Sequence, residues 1–230
     1  ILGRLVGAEM CIRDRHLYNS STYKYNSGGN PENIIDLTHD YLVDFHRKHY
    51  HPSNATFFTF GNLNPAEIQE FINKNVLENF EPSNEIISVK NEDRISKPKT
   101  VTEFYNPMPE DENNHHVVLS WLLGESHNPV ELLESYLVSN ILLDNSASPL
   151  RKVLENTDLG KSLSPLTGLE ADHKELVFAA GLEGVDANTQ LKVEELILNC
   201  LKNVVSNGIS HELIQSSLHC LLYTSDAADE

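Results

Sequence analysis

Hydrophobic positions in this chain fall into two kinds of run, one at helical spacing and one short and densely apolar. Leu37, Tyr41, Leu42 and Phe45 recur at helical spacing, with Thr38 placed as N-cap and Asp40 in the first turn, which predicts a helix that stops at His51-Pro52-Ser53-Asn54. Ala55 to Phe60 (ATFFTF) is then a short aromatic run suited to a buried strand, closed by Gly61-Asn62. Asn64 and Pro65 open a second helix to about Asn79, carrying Ile68, Phe71, Ile72 and Val76 on one face. Upstream, Gly28, Gly29 and Pro31 predict an exposed, turn-rich loop.

From Glu81 to Asn114 the pattern decays into Pro, Asn, Asp, Glu and Lys, with only Ile86-Ile87 and Val101 to Tyr105 as extended candidates. A new unit opens with the strand-like run from His115 to Leu123 (HHVVLSWLL). A helix over Pro129 to Leu143 capped by Asn128, a shorter one from Pro149 to about Asn156, a strand over Leu176 to Leu182 and a long helix over Asn188 to Val205 follow. Ser210 caps a last helix. The sum predicts an α+β fold, with helices covering mainly antiparallel sheets.

The organised units are 16–84 and 115–220, joined by a connector over 85–114. The end segments 1–15 (ILGRLVGAEMCIRDR) and 221–230 (LLYTSDAADE) have no periodicity linked to their neighbours. They resemble adaptor sequence translated along with a transcript and are expected to be non-native.

Charge removes some partners. Seventeen Lys and Arg stand against 34 Asp and Glu, a net charge of −17, and no basic tract occurs, which argues against nucleic acid and anionic membrane. No apolar run approaches the roughly 18 residues of a membrane-spanning helix. Cys11, Cys200 and Cys220 are too scattered for a disulfide framework or a CxxC site.

Eleven histidines raise the question of metal. His39, His46, His49 and His51 crowd one helix and its end, yet catalytic zinc needs three fixed ligands with an open position, and no H-x-x-E-H or H-E-x-x-H occurs. His115 and His116 are neighbours on a strand and face opposite ways. All are read as surface, cap or structural histidines. There is no G-x-S-x-G, P-loop or G-x-G-x-x-G. The reading therefore assigns no catalytic, cofactor-binding or metal-binding residue.

Thr22-Tyr23, Ser27-Gly28-Gly29-Asn30-Pro31, Leu37-Thr38, Phe45-His46 and His49-Tyr50-His51-Pro52-Ser53-Asn54-Ala55 run into Phe57-Phe58-Thr59-Phe60-Gly61-Asn62-Leu63. In that order they resemble the presequence-protease branch of the pitrilysin/insulinase-type zinc metallopeptidases. The 146–149 turn, the 150–160 stretch (LRKVLENTDLG) and the strand into Gly181-Leu182-Glu183-Gly184 match more loosely. The resemblance covers about Leu17 to Cys220.

It implies a large enzyme of four homologous α+β domains in two halves that close on unstructured peptides such as cleaved targeting presequences. Residues 16–84 would be the C-terminal part of the first domain and 115–220 the N-terminal part of a second, non-catalytic one. The family's zinc motif maps to no residue here, so zinc belongs to the parent protein and this chain is expected to be inactive alone. The implied partners are unstructured peptides and the missing parts of the same polypeptide, and the implied compartment is the mitochondrial matrix or plastid. The alternative is a non-catalytic structural member of the same fold, as in the core subunits of respiratory complex III. An unrelated helical scaffold would require the runs at Ala55, Val117 and Leu176 to be helical, against their lengths and flanking turns.

Overall fold

The computed structural model describes residues 2–105 and 115–226; residues 106–114 of the connector and 227–230 of the terminal segment lie outside the described residues. In chain order it contains α1 (Leu2–Leu17), α2 (Pro31–Ile34), α3 (His39–His49), α4 (Pro65–Asn75), β1 (His115–Glu125), α5 (Pro129–Leu143), α6 (Pro149–Glu155), β2 (Ser162–Leu163), β3 (Gly168–Glu170), β4 (Glu175–Val185), α7 (Gln190–Asn207) and α8 (His211–Asp226). Contacts divide it into two units, one formed by 1–25 with 91–230 and the other by 26–90.

The larger unit is built on β4. Antiparallel β1 pairs along most of its length, from His115 opposite Val185 to Leu122 opposite Val177. β2 and β3 take successive stretches of its other side, with Leu163 opposite Leu182 and Leu169 opposite Phe178. Paired along both edges and covered on both faces, β4 is buried nearly throughout: Leu176, Ala180 and Leu182 on one face and Val177 on the other are all fully buried. That explains why its sequence is a continuous apolar run and not an alternating one.

Phe178, Ala180 and Leu182 share the core with Leu142 of α5, Leu150 and Leu154 of α6, and Val193, Ile197 and Cys200 of α7. Val117, Leu119, Trp121 and Leu123 of β1 extend the same layer. The helices start where their caps stand. The Asn128 side chain accepts from Val130 N–H at 3.2 Å, satisfying an amide that α5 leaves open, while the Glu131 carboxylate accepts from Glu125 N–H, at the end of β1, at 2.7 Å. Gly208 ends α7 with φ +73°, a conformation that costs glycine little. Ser210 Oγ then accepts from Leu213 N–H in the first turn of α8.

In the smaller unit, Thr38 Oγ1 accepts from Tyr41 N–H at 3.2 Å and Asn64 from Ala66 N–H at 3.1 Å, so α3 and α4 begin at the caps read from sequence. The strand expected at Ala55 to Phe60 does not form. A strand needs a ladder partner, and among the described residues of 26–90 there is no second strand. Phe58 and Phe60 are 86% and 90% exposed as a result.

The extended candidates at Ile86-Ile87 and Val101 to Tyr105 likewise join no ladder. Most of the segment read as a foreign leader, 1–15, forms α1 together with His16 and Leu17. Its Arg13 bonds Glu170 at 2.7 Å. Among the described residues no helix is long and apolar enough to cross a membrane.

Candidate functional site

The crowded histidines of α3 have local employment. The His49 ring stacks on Phe45, centroids 4.0 Å apart, and the His46 ring on Tyr50 at 4.7 Å. His51 Nδ1 accepts from Ser53 N–H at 3.2 Å, and its ring meets Phe80 edge-on. His39 is exposed beside Asp40. On β1, His116 meets the Tyr105 ring edge-on. Among the described residues no three His, Cys, Asp or Glu side chains converge as metal ligands.

A polar cluster does assemble in the larger unit, around the turn that leads from β3 into β4. Tyr18, fully buried, shares a hydrogen bond of 2.9 Å with His173 Nδ1. The Tyr23 ring stacks on His173 at 4.4 Å, and its hydroxyl accepts from Lys174 N–H at 2.9 Å. Burial holds the Tyr18 hydroxyl well above the ordinary tyrosine range, a tendency reinforced by Asp14, so it stays neutral.

Beside it, the Glu92 carboxylate is 4% exposed. It accepts N–H bonds from Asn19 at 2.8 Å, Ser20 at 3.0 Å and Ser21 at 2.8 Å, and a hydroxyl bond from Ser20 at 3.0 Å. Burial alone would raise this carboxyl, but the amides of Ser21, Asn19 and Ser20 outweigh it and hold it below its ordinary value. Glu92 N–H in turn donates to Glu175 at 2.6 Å, and Arg94 bonds the other Glu175 oxygen at 2.8 Å.

The cluster can hold backbone in place. It presents no nucleophile with an adjacent base facing open space, and every carboxylate in it is engaged. Sequence reading missed Glu92, Glu170 and His173, because the partners that gather them, Asn19 to Ser21 for Glu92, Arg13 for Glu170 and Tyr18 for His173, stand about seventy or more positions away. The local signal was the Asn19-Ser20-Ser21-Thr22 run, whose residues favour turns with free amides.

An open apolar groove lies among β1, β4, α5 and α7, lined by Trp121, Leu123, Val138, Leu142, Phe178 and Leu201, with Glu134 also in its lining. It suits an apolar group and offers no paired acid and base.

These side chains belong to an α+β unit of one antiparallel sheet under helices. Residues 36–219 match the family described as the peptidase M16 inactive domain, and the chain belongs to that family. It is 36% identical over 220 residues to the mitochondrial presequence protease of Xenopus tropicalis, which takes in 91% of this chain and 21% of that protein. It is also 36% identical over 202 residues to the mitochondrial presequence protease of Aspergillus oryzae, 85% of this chain and 19% of that one. The chain thus spans about a fifth of the length of these curated relatives. In fold it is similar to the crystal structure of a peptidase M16 inactive domain from Pseudomonas fluorescens, with TM-score 0.69 and 19% identity, covering 97% of this chain and 52% of that one.

Proposed function

We propose that this chain is a non-catalytic part of a zinc metalloendopeptidase that degrades unstructured peptides, such as cleaved targeting presequences, inside an enclosed chamber. The observation that carries the reading is the 36% identity to presequence proteases across 91% of the chain, on residues that match an inactive peptidase domain. Its role is structural: 115–220 forms part of the chamber wall, and 16–84 completes a first domain whose other strands lie elsewhere in the parent. Unpaired Ala55 to Phe60, with its exposed phenylalanines, supports that second point, since such a run is stable only against a neighbouring strand. The mitochondrion is the compartment most consistent with the relatives' names.

Zinc is assigned to the parent and not to these residues. The described side chains do not fit the ion, because the α3 histidines stack on their own neighbours or cap a turn. No catalytic or metal-binding residue is proposed in the chain.

The test is to recover the full-length parent, express it, and incubate it with an unstructured presequence-like peptide and with a folded protein, each with and without a chelator. Chelator-sensitive cleavage of the peptide alone is the expected result. A well-folded parent that cuts neither substrate would overturn the peptidase reading in favour of the structural relative.

A further inference from the structure

The chain leaves the larger unit after Tyr25 and returns to it at Asn91. Both passages are fastened at the same place. On the outgoing side, Tyr18 and Tyr23 hold His173 and Lys174, in the turn before β4. On the returning side, Glu92 and Arg94 hold Glu175, the first residue of β4. The Glu92 carboxylate then ties the two passages to each other through the successive amides of Asn19, Ser20 and Ser21.

We propose that Glu92 is the pin of a neck: it clamps the outgoing and returning stretches of the larger unit to each other, closing the place where the chain leaves that unit after Tyr25 and re-enters it at Asn91.

Three features support this. Three backbone donors and a hydroxyl converge on one buried carboxylate, and charge-assisted bonds of this kind are the stronger class. The bond closes a span of about seventy residues, so it opposes the entropy of a long loop, which no local turn does. The anchor it stands on is the end of the most buried strand in the unit, which is the last part to open in local fluctuation. Without Glu92 each stretch would still meet the 173–175 platform separately, and a direct bond left between them would be that of His16 to Glu103 at 2.8 Å, which involves none of the neck amides of Asn19, Ser20 and Ser21.

The experiment compares the full chain with Glu92→Ala and the near-isosteric Glu92→Gln by amide hydrogen exchange, alongside brief trypsin digestion. The neck amides of Asn19, Ser20 and Ser21 are expected to exchange at least about tenfold faster in Glu92→Ala and less so in Glu92→Gln, with faster cutting at Lys24 and Lys90. Amides of the β1–β4 ladder, such as Leu182 and Val118, and cutting at Arg47 and Lys74 should be unchanged. Unchanged exchange at 19–21 in both variants overturns the proposal. So does an equal rise at the neck and in the β1–β4 ladder, which would make Glu92 a general stabiliser. If Glu92→Ala does not fold, Glu92→Gln alone decides between these outcomes.

Discussion

Gly181 of β4 stands opposite Val118 of β1, and a Cβ at that glycine would run into the Val117 carbonyl oxygen and come within 2.9 Å of Val118 Cα. The two long strands, β1 and β4, therefore approach more closely there than a side chain at Gly181 permits. Gly181→Ala is expected to cost about 3 kcal/mol, since neither obstacle is a flexible side chain. Trp121, the single tryptophan, lies in the same ladder opposite Phe178, so urea unfolding followed by its fluorescence reads the change directly. A midpoint equal to wild type would show that the ladder shifts to accommodate the methyl.

Ile197 of α7 is fully buried in the core formed with Phe178, Leu182 and Leu154. Truncation to Ala should cost about 3 kcal/mol, from lost transfer energy and the cavity left behind. Leu191, at the start of the same helix and 68% exposed, is the control, and its replacement by Ala should move the midpoint little. Equal effects would mean that α7 does not pack as described.

Glu92 gives a pH dependence with a definite sign. Its pKa lies lower in the folded chain than its ordinary value of 4.5, so its contribution is fully present above that pH and is lost as pH falls through the depressed value. The groups nearest it are Glu175, which accepts from its N–H, and Arg94, paired to Glu175. Between about pH 5 and pH 3, wild type should lose about 1 kcal/mol more stability than Glu92→Gln. Parallel losses in the two proteins would remove Glu92 as a contributor.

The cysteines should differ in reactivity. Burial pushes the Cys200 thiol up from its ordinary value, and its Sγ points to the Pro149 carbonyl, whereas Cys220 is exposed. Under iodoacetamide near pH 8, mapped by mass spectrometry, Cys220 should be modified at least about tenfold faster than Cys200 until urea unfolds the chain.

Neither zinc nor a chelator should move the unfolding midpoint of this chain. A rise with zinc that His46→Ala and His49→Ala both abolish would show that the α3 histidines can turn from their aromatic neighbours and bind the ion.

What could be read from sequence follows how local the determinant is. The span Pro129–Leu143 of α5 was legible because Asn128, Pro129 and the apolar spacing act within one element, and α3 and α4 announced themselves through Thr38 and Asn64. β4 was legible as an apolar run, although its ends extend to Glu175 and Val185. β2 and β3, two and three residues long, exist only by pairing with β4 and leave no pattern of their own. Ala55 to Phe60 shows the converse, since its composition favours a strand but hydrogen-bonding partners decide whether one forms. The Glu92 cluster was invisible because it depends on three separate segments meeting.

Ala55 to Phe60 has a further consequence. Three phenylalanines and two threonine residues in a hexapeptide with neither charge nor proline meet the composition from which steric zippers are built. With Phe58 and Phe60 open to solvent, copies of the chain can stack this segment on itself, supplying the missing backbone partners from molecule to molecule. At high concentration these six residues are expected to nucleate fibrils, and Phe58→Lys to lengthen the lag seen by thioflavin fluorescence; equal lags would remove the segment as the nucleus.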